Sequence, residues 1–316
     1  MSNPGRPLPA VVGLLIVVLA MTLGLAPGRV CAADPTVGVD IQIRNIHNFS
    51  TRDKTFNVEA TVWLTSAPGA DGSGPAPVEF ANLIQPWNSR IEPLPTAPEP
   101  QRDGRLRRGY SVQGSFYSDQ INFSAFPFGR LLLPVIVQPR PGQAVDLRPG
   151  HGGVGAWGGL NGYQLQGWTF RRVDQRLEFV IAYRASPGAA LMRWILPLAI
   201  VMLLMLLTPN LSSSLVSERL TIPPVVMLTV VFLQQAYREV LPSLPYLTAM
   251  DWLYTLSYLV TLVFFIHFMH AGNRILAVAE AERPALLRRL DRWDLRLQLG
   301  SVGLYLLVAL LAWRLQ

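Results

Sequence analysis

The chain has 316 residues, of which 50% are hydrophobic and only 15% charged, with a formal net charge of +7. A soluble domain carries roughly 25% charged residues, so this balance excludes that class and points to a membrane protein. The positive charge is almost all arginine and lies scattered between apolar runs, which fits orientation in a lipid bilayer and argues against nucleic acid as a partner.

Residues 1–33 read as a signal peptide. Arg6 supplies a charged start, Val11 to Leu25 is a short apolar run, and Val30-Cys31-Ala32-Ala33 offers small residues for cleavage. The competing reading, an extra membrane helix, has the shortness of the run and the Pro27-Gly28 break against it. Cys31 is the only cysteine and would leave with the peptide, so neither disulfides nor thiol chemistry is expected of the mature chain.

Residues 34–186 have the pattern of a β domain. Val39 to Arg44, Phe56 to Leu64, Tyr110 to Phe116 and Leu177 to Tyr183 alternate at period two between turn-forming runs, which predicts an antiparallel β-sandwich. Ala67 to Pro77 and Pro149 to Tyr163 read as long loops. The second holds Gly150, Gly152, Gly153, Gly155, Gly158 and Gly159 with no Gly-Lys-Ser/Thr after them, so its glycines imply flexibility rather than a phosphate loop.

Residues 187–316 read as a transmembrane domain with helices at about 189–207, 221–241, 250–270 and 297–315, each near bilayer length. The linker at about 271–296 holds Arg274, Arg283, Arg288, Arg289, Arg292 and Arg296 against Glu280, Glu282, Asp291 and Asp294, which makes it the cytoplasmic loop by the positive-inside rule. The β domain and the C-terminus then lie outside.

The second span carries a polar-ended stripe. Glu218, Thr221, Val225, Leu228, Phe232, Gln235 and Glu239 recur at steps of three and four and so share one helix face, as a pore lining requires. Ordinary helix packing would explain Val225, Leu228 and Phe232 alone; it does not explain the polar groups at both ends. As rings around an axis, the three apolar residues form a gate that blocks ions by dewetting, and the two acids favour monovalent cations. Arg219 and Arg238 stand next to those acids, however, and a rotation of one residue, about 100°, would present them instead. Pro223-Pro224 allows two readings: the regular helix starts at Pro223, or it continues through both prolines with a kink.

These segments carry a family resemblance. Ser217-Glu218-Arg219-Leu220, Met227-Leu228-Thr229-Val230-Val231 and Leu241-Pro242-Ser243-Leu244-Pro245-Tyr246, the Pro197-bearing Met192 to Ile200, and Asp103-Gly104-Arg105, Gly114-Ser115-Phe116, Asp119 and Phe126-Pro127-Phe128 resemble the bacterial pentameric ligand-gated ion channels, relatives of the Cys-loop receptors. The pore segment is most similar to that of the amine-gated bacterial member. The resemblance implies a homopentamer in the bacterial inner membrane, with the β domain in the periplasm, a small-molecule or proton agonist, and no cofactor. It also implies that Phe126, Pro127, Phe128, Arg184, Pro242, Pro245 and Tyr246 couple the two domains. Trp63, Gln138, Arg140 and Trp168 would contribute to an agonist site at subunit interfaces, with buried tryptophan core as the alternative for Trp63 and Trp168.

Three positions depart from the family pattern. Arg140 replaces an aromatic residue after Gln138-Pro139, the ligand-capping turn shrinks to Asp174-Gln175, and Gly129 follows Phe128 where the family has an aspartate that pairs with an arginine, here Arg184. A simple amine agonist does not follow from such a site. Nor does an enzyme: His47, His151, His267 and His270 have no metal-ligand spacing, and no serine nucleophile motif is present. The alternative function is a membrane-anchored periplasmic sensor that does not conduct, but such a protein needs no polar stripe, and the linker at 271–296 is too short for a cytoplasmic effector.

Overall fold

The computed structural model describes residues 36–66, 76–143 and 145–314. The predicted signal peptide and most of the loop expected from Ala67 to Pro77 lie outside these residues. Eleven strands are described: β1 (Thr36–Ser50), β2 (Thr55–Ser66), β3 (Val78–Phe80), β4 (Leu83–Ile84), β5 (Arg90–Pro93), β6 (Glu99–Pro100), β7 (Leu106–Tyr117), β8 (Arg130–Pro139), β9 (Asp146–Trp157), β10 (Tyr163–Val173) and β11 (Arg176–Ala185). They form one sheet ordered β4-β7-β2-β1-β9, with β5 and β6 also on β7, and a second ordered β10-β11-β8-β3.

Alternation explains how the sheets pack. Val39, Ile41 and Ile43 on β1 and Phe56, Val58 and Val62 on β2 are buried, as are Leu131, Leu133, Val135 and Val137 on β8 and Leu177, Phe179, Ile181 and Tyr183 on β11. With every second side chain apolar, each sheet has one face to bury, and the two faces close on a shared core. Tyr183 donates its hydroxyl to the Gly158 carbonyl oxygen at 2.5 Å, and burial pushes its phenol up to about 12. At the start of β9, Arg172 and Arg148 donate to Asp146 at 2.5 and 2.8 Å, and Arg172 holds that carboxyl below the ordinary carboxylate range.

The glycine-rich stretch differs from expectation. Residues 149–157 are not loop: they belong to β9, which pairs in parallel with β1 in an otherwise antiparallel sheet. The glycines permit close approach. A Cβ at Gly152 would sit 2.6 Å from the Phe179 ring and 2.8 Å from Trp168, and one at Gly150 would sit 2.0 Å from Asp40 Oδ1.

Four helices follow: α1 (Pro187–Asn210), α2 (Val216–Val240), α3 (Ala249–Ala277) and α4 (Arg283–Arg314). All are long and apolar enough to cross a membrane, as a multi-pass membrane protein requires. α1 contains a π-helical turn at Leu191–Ile195. Pro197 accounts for it, because proline lacks the amide that would bond the Arg193 carbonyl and its ring crowds that oxygen. The expected linker at 271–296 is mostly helical, since α3 runs to Ala277 and α4 begins at Arg283. α2 continues through Pro223 and Pro224, so the reading in which the helix starts at Pro223 is set aside.

Thr248 caps α3 in a reciprocal box. Its backbone N–H donates to Asp251 Oδ2 at 2.8 Å, and its hydroxyl oxygen accepts from the Asp251 N–H at 3.3 Å. Thr248→Ala is expected to lower the stability of the full chain by about 1 kcal/mol. Thermal unfolding in detergent measures this, and an unchanged melting temperature would mean that the cap contributes nothing.

Candidate functional site: an exposed helix stripe and its two anchors

α2 is two-sided. Arg219, Pro223, Val226, Val230 and Tyr237 are buried against the other helices. Glu218, Thr221, Val225, Leu228, Phe232, Gln235 and Glu239 are all exposed, with Val225 at 64%, Leu228 at 57% and Phe232 at 61%. Both sets follow helical spacing, so one face holds the helix in the bundle and the other is left without a partner in this chain. The stripe predicted from sequence is therefore on a single uncovered face.

The far end of α2, away from the β domain, is anchored by charge. Arg219 donates through Nη1 to Asp294 Oδ2 at 2.8 Å and through Nη2 to the Pro209 carbonyl oxygen at 2.6 Å; it also bonds the Leu211 carbonyl. Its guanidinium lies 5.3 Å from the Phe268 ring centre. The other oxygen of Asp294 lies 2.6 Å from His267 Nε2, so this carboxylate ties α2, α3 and α4 together. Arg219 and Asp294 side chains are each 3% exposed. Asp294 is thus not a solvated loop charge, as its place in the expected linker implied. His267 is part of this cluster.

The near end is anchored by aromatic rings. Phe126, in the loop between β7 and β8, packs on Trp194 of α1 at 5.5 Å and on Tyr237 of α2 at 5.7 Å, and Tyr237 stacks on Tyr254 of α3 at 5.7 Å. Two backbone hydrogen bonds add to the junction: the Phe123 N–H donates to Tyr246 Oη at 3.1 Å, and the Ala249 N–H donates to the Ser124 carbonyl oxygen at 2.9 Å. Arg238 Nη2 lies 2.8 Å from Asp251 Oδ1, but that oxygen has no aligned hydrogen-bond donor, so the contact is chiefly electrostatic. Both arginines beside the stripe acids are therefore engaged by other helices. Among the described residues, Glu218 and Glu239 make no ion pair.

The residues named for coupling divide into groups. The β7–β8 loop engages the helices at both: Phe126 packs on Tyr237, and Tyr246 accepts from the Phe123 N–H. Phe128 and Arg184 line a common concavity, and Pro127 lines a different one with Trp194 and Tyr163, whose phenol is raised by burial. Pro242 and Pro245 sit in the connection between α2 and α3. The sequence does not single out Trp194, Tyr237, Tyr254, Asp294 or His267 as site residues, and it offers Arg219 only as the alternative to Glu218 on the stripe. Asp294 and Arg219 did carry a signal, being charges at apolar-stripe positions.

Trp63, Gln138, Arg140 and Trp168 do not converge within one chain. Trp63 lies on β2 with Arg107 5.0 Å over its ring, and Trp168 packs on Phe179 at 5.4 Å in the other sheet. Gln138 donates to Glu79 at 2.7 Å, and Arg140 is exposed just beyond β8. The β10–β11 turn consists of Asp174 and Gln175, with Asp174 in the left-handed region at φ 53°. Among the described residues, no three His, Cys, Asp or Glu side chains cluster as metal ligands. No protein-family model matches the chain, and no curated protein does.

Proposed function

We propose that this chain is one subunit of a cation-selective ion channel, a homopentamer of the bacterial inner membrane gated by a small molecule or by protons bound to its periplasmic β domain. The observation that carries the proposal is the uncovered face of α2. A lipid-facing surface does not accommodate Glu218, Gln235 and Glu239 on one stripe, because each would lose its hydration without a partner. Water in a central pore hydrates them. Val225, Leu228 and Phe232 then form the apolar constriction, and Glu218 and Glu239 form acid rings at its two ends. The buried Arg219, and the ion pair of Arg238 with Asp251 of α3, support cation over anion preference, since both arginines are already engaged by other helices. Pentameric assembly rests on the family resemblance of the pore and loop motifs.

Purified protein in a planar bilayer under asymmetric potassium chloride tests the reading. Discrete currents that reverse near the potassium equilibrium potential are the expected result. Reversal near the chloride potential would overturn the selectivity. Silence across pH and across panels of amines, carboxylates and divalent cations, from protein shown by thermal unfolding to be folded, would overturn conduction itself.

A further inference from the structure

At the membrane end of the four-stranded sheet, Arg130 of β8 and Arg184 of β11 stand directly opposite one another. Cross-strand neighbours have Cβ atoms about 5 Å apart, and like charges in that relation are destabilising. Both side chains are exposed, and neither takes part in an ion pair or side-chain hydrogen bond among the described residues. Together with Asn122, Ser124, Gly129 and Leu132 they line a half-open concavity of about 210 Å³.

The other groups around it are also donors. Asn122 Oδ1 accepts the Ser124 N–H at 2.8 Å, which leaves the Asn122 amide N–H₂ and the Ser124 hydroxyl available. Gln120, another lining residue, donates to Glu178 at 3.3 Å, but Arg171 already holds that carboxylate at 2.6 Å. Asp119 lies in the same loop without lining the concavity. Two guanidinium groups, an amide and a hydroxyl around one space, with no acid among them, match the acceptor-rich shape of a carboxylate or phosphate.

We propose that this concavity binds a small oxyanion of the phosphate or carboxylate class, either free in solution or carried on a lipid headgroup. The proposal stands whether or not the chain conducts. The bound anion would offset the repulsion between Arg130 and Arg184 and fasten the β7–β8 loop to the sheet. That loop is the one whose Ser124 carbonyl receives the Ala249 N–H, so occupancy also braces the head of α3.

Thermal unfolding of the full chain in detergent, with inorganic phosphate replacing chloride at constant ionic strength, is the test. Phosphate at saturation is expected to raise the melting temperature by about 3 °C. Arg130→Gln and Arg184→Gln should each abolish the rise, and Arg102→Gln, at an exposed site elsewhere, should keep it. Gly129→Asp provides a check that does not depend on the arginine variants folding. A Cβ there meets nothing nearer than Asn122 O at 3.5 Å and Ala125 Cβ at 3.9 Å, so a carboxylate at this lining position should raise the melting temperature and remove the phosphate response.

Nanodiscs separate the two sources. If phosphate has no effect in detergent but phosphatidylglycerol stabilises the chain over phosphatidylcholine, and Arg130→Gln cancels this, the anion is a headgroup. If neither anion moves the melting temperature, or the rise survives both glutamine variants, the site does not exist.

Discussion

Asp294→Ala is expected to lower the melting temperature of the full chain by roughly 10 °C, a loss of about 3–5 kcal/mol. The carboxylate is 3% exposed and is shared between Arg219 at 2.8 Å and His267 at 2.6 Å. Its removal leaves a guanidinium in the interior with only the Pro209 and Leu211 carbonyls and the Phe268 ring beside it, and no counter-charge. The cost is then mainly that of an uncompensated buried charge. A second variant separates this from lost packing: Arg219→Met with Asp294→Leu removes both charges and keeps apolar volume, so it should be less destabilised than Asp294→Ala alone. If Asp294→Ala melts within about 1 kcal/mol of the parent, or the double variant is the worse of the two, the buried pair is not what holds the far end of α2.

The same pair bears on function through geometry. Glu218 and Arg219 are neighbours about 100° apart on the helix, so which of them reaches the uncovered face depends on how α2 is rotated. Burying Arg219 against α4 fixes that rotation at one end, and packing Tyr237 between Phe126 and Tyr254 fixes it at the other. The rest of the helix has little choice, because Val226 and Val230 complete the buried face between those anchors.

This is also where reading the sequence reached its limit. Period alone identified the stripe from Glu218 to Glu239, because a helix with one packed face must repeat at three and four. Period could not choose between adjacent acid and base, since the choice rests on a residue 75 positions away in sequence. Asp294 was obscured by its surroundings: Arg288, Arg289, Asp291 and Arg292 make that segment look like a solvated loop. Yet Leu290 and Asp294 are buried four apart, with Leu286 and Leu297 partly buried on the same face. An acid in an apolar stripe was the available sign of a buried partner.

The β domain shows the same division. Strands with one apolar face, such as Phe56 to Leu64, announce themselves by alternation. β9 does not, because its glycines leave no side chains to alternate; their purpose, to admit Asp40, Trp168 and Phe179 at close range, exists only once the sheets are assembled. The two-residue turn at Asp174-Gln175 is legible only through the family resemblance, and β10 and β11 pair up to it, with Val173 opposite Arg176.

Leu228→Ser is expected to raise the resting conductance of reconstituted protein by a hundredfold or more, while leaving the melting temperature within a degree or two of the parent. The side chain is 57% exposed and contributes little to the core of its own chain. In the proposed pentamer, five copies face one axis, and the closed pore depends on that ring repelling water. Replacing the isobutyl group of each copy by a hydroxymethyl weakens the dry state by about 1 kcal/mol per subunit; summed over five subunits, that shifts a closed–open equilibrium by roughly several thousandfold. Val230→Ser is the matching control two residues on. Val230 is fully buried on the opposite face, so this change should cost about 2 kcal/mol of stability by opening a cavity in the packed side of the helix. A pore makes the two substitutions dissociate, one altering current and the other altering stability. If Leu228→Ser stays as silent as the parent in the bilayer, the uncovered face of α2 is a docking surface and not a conduit.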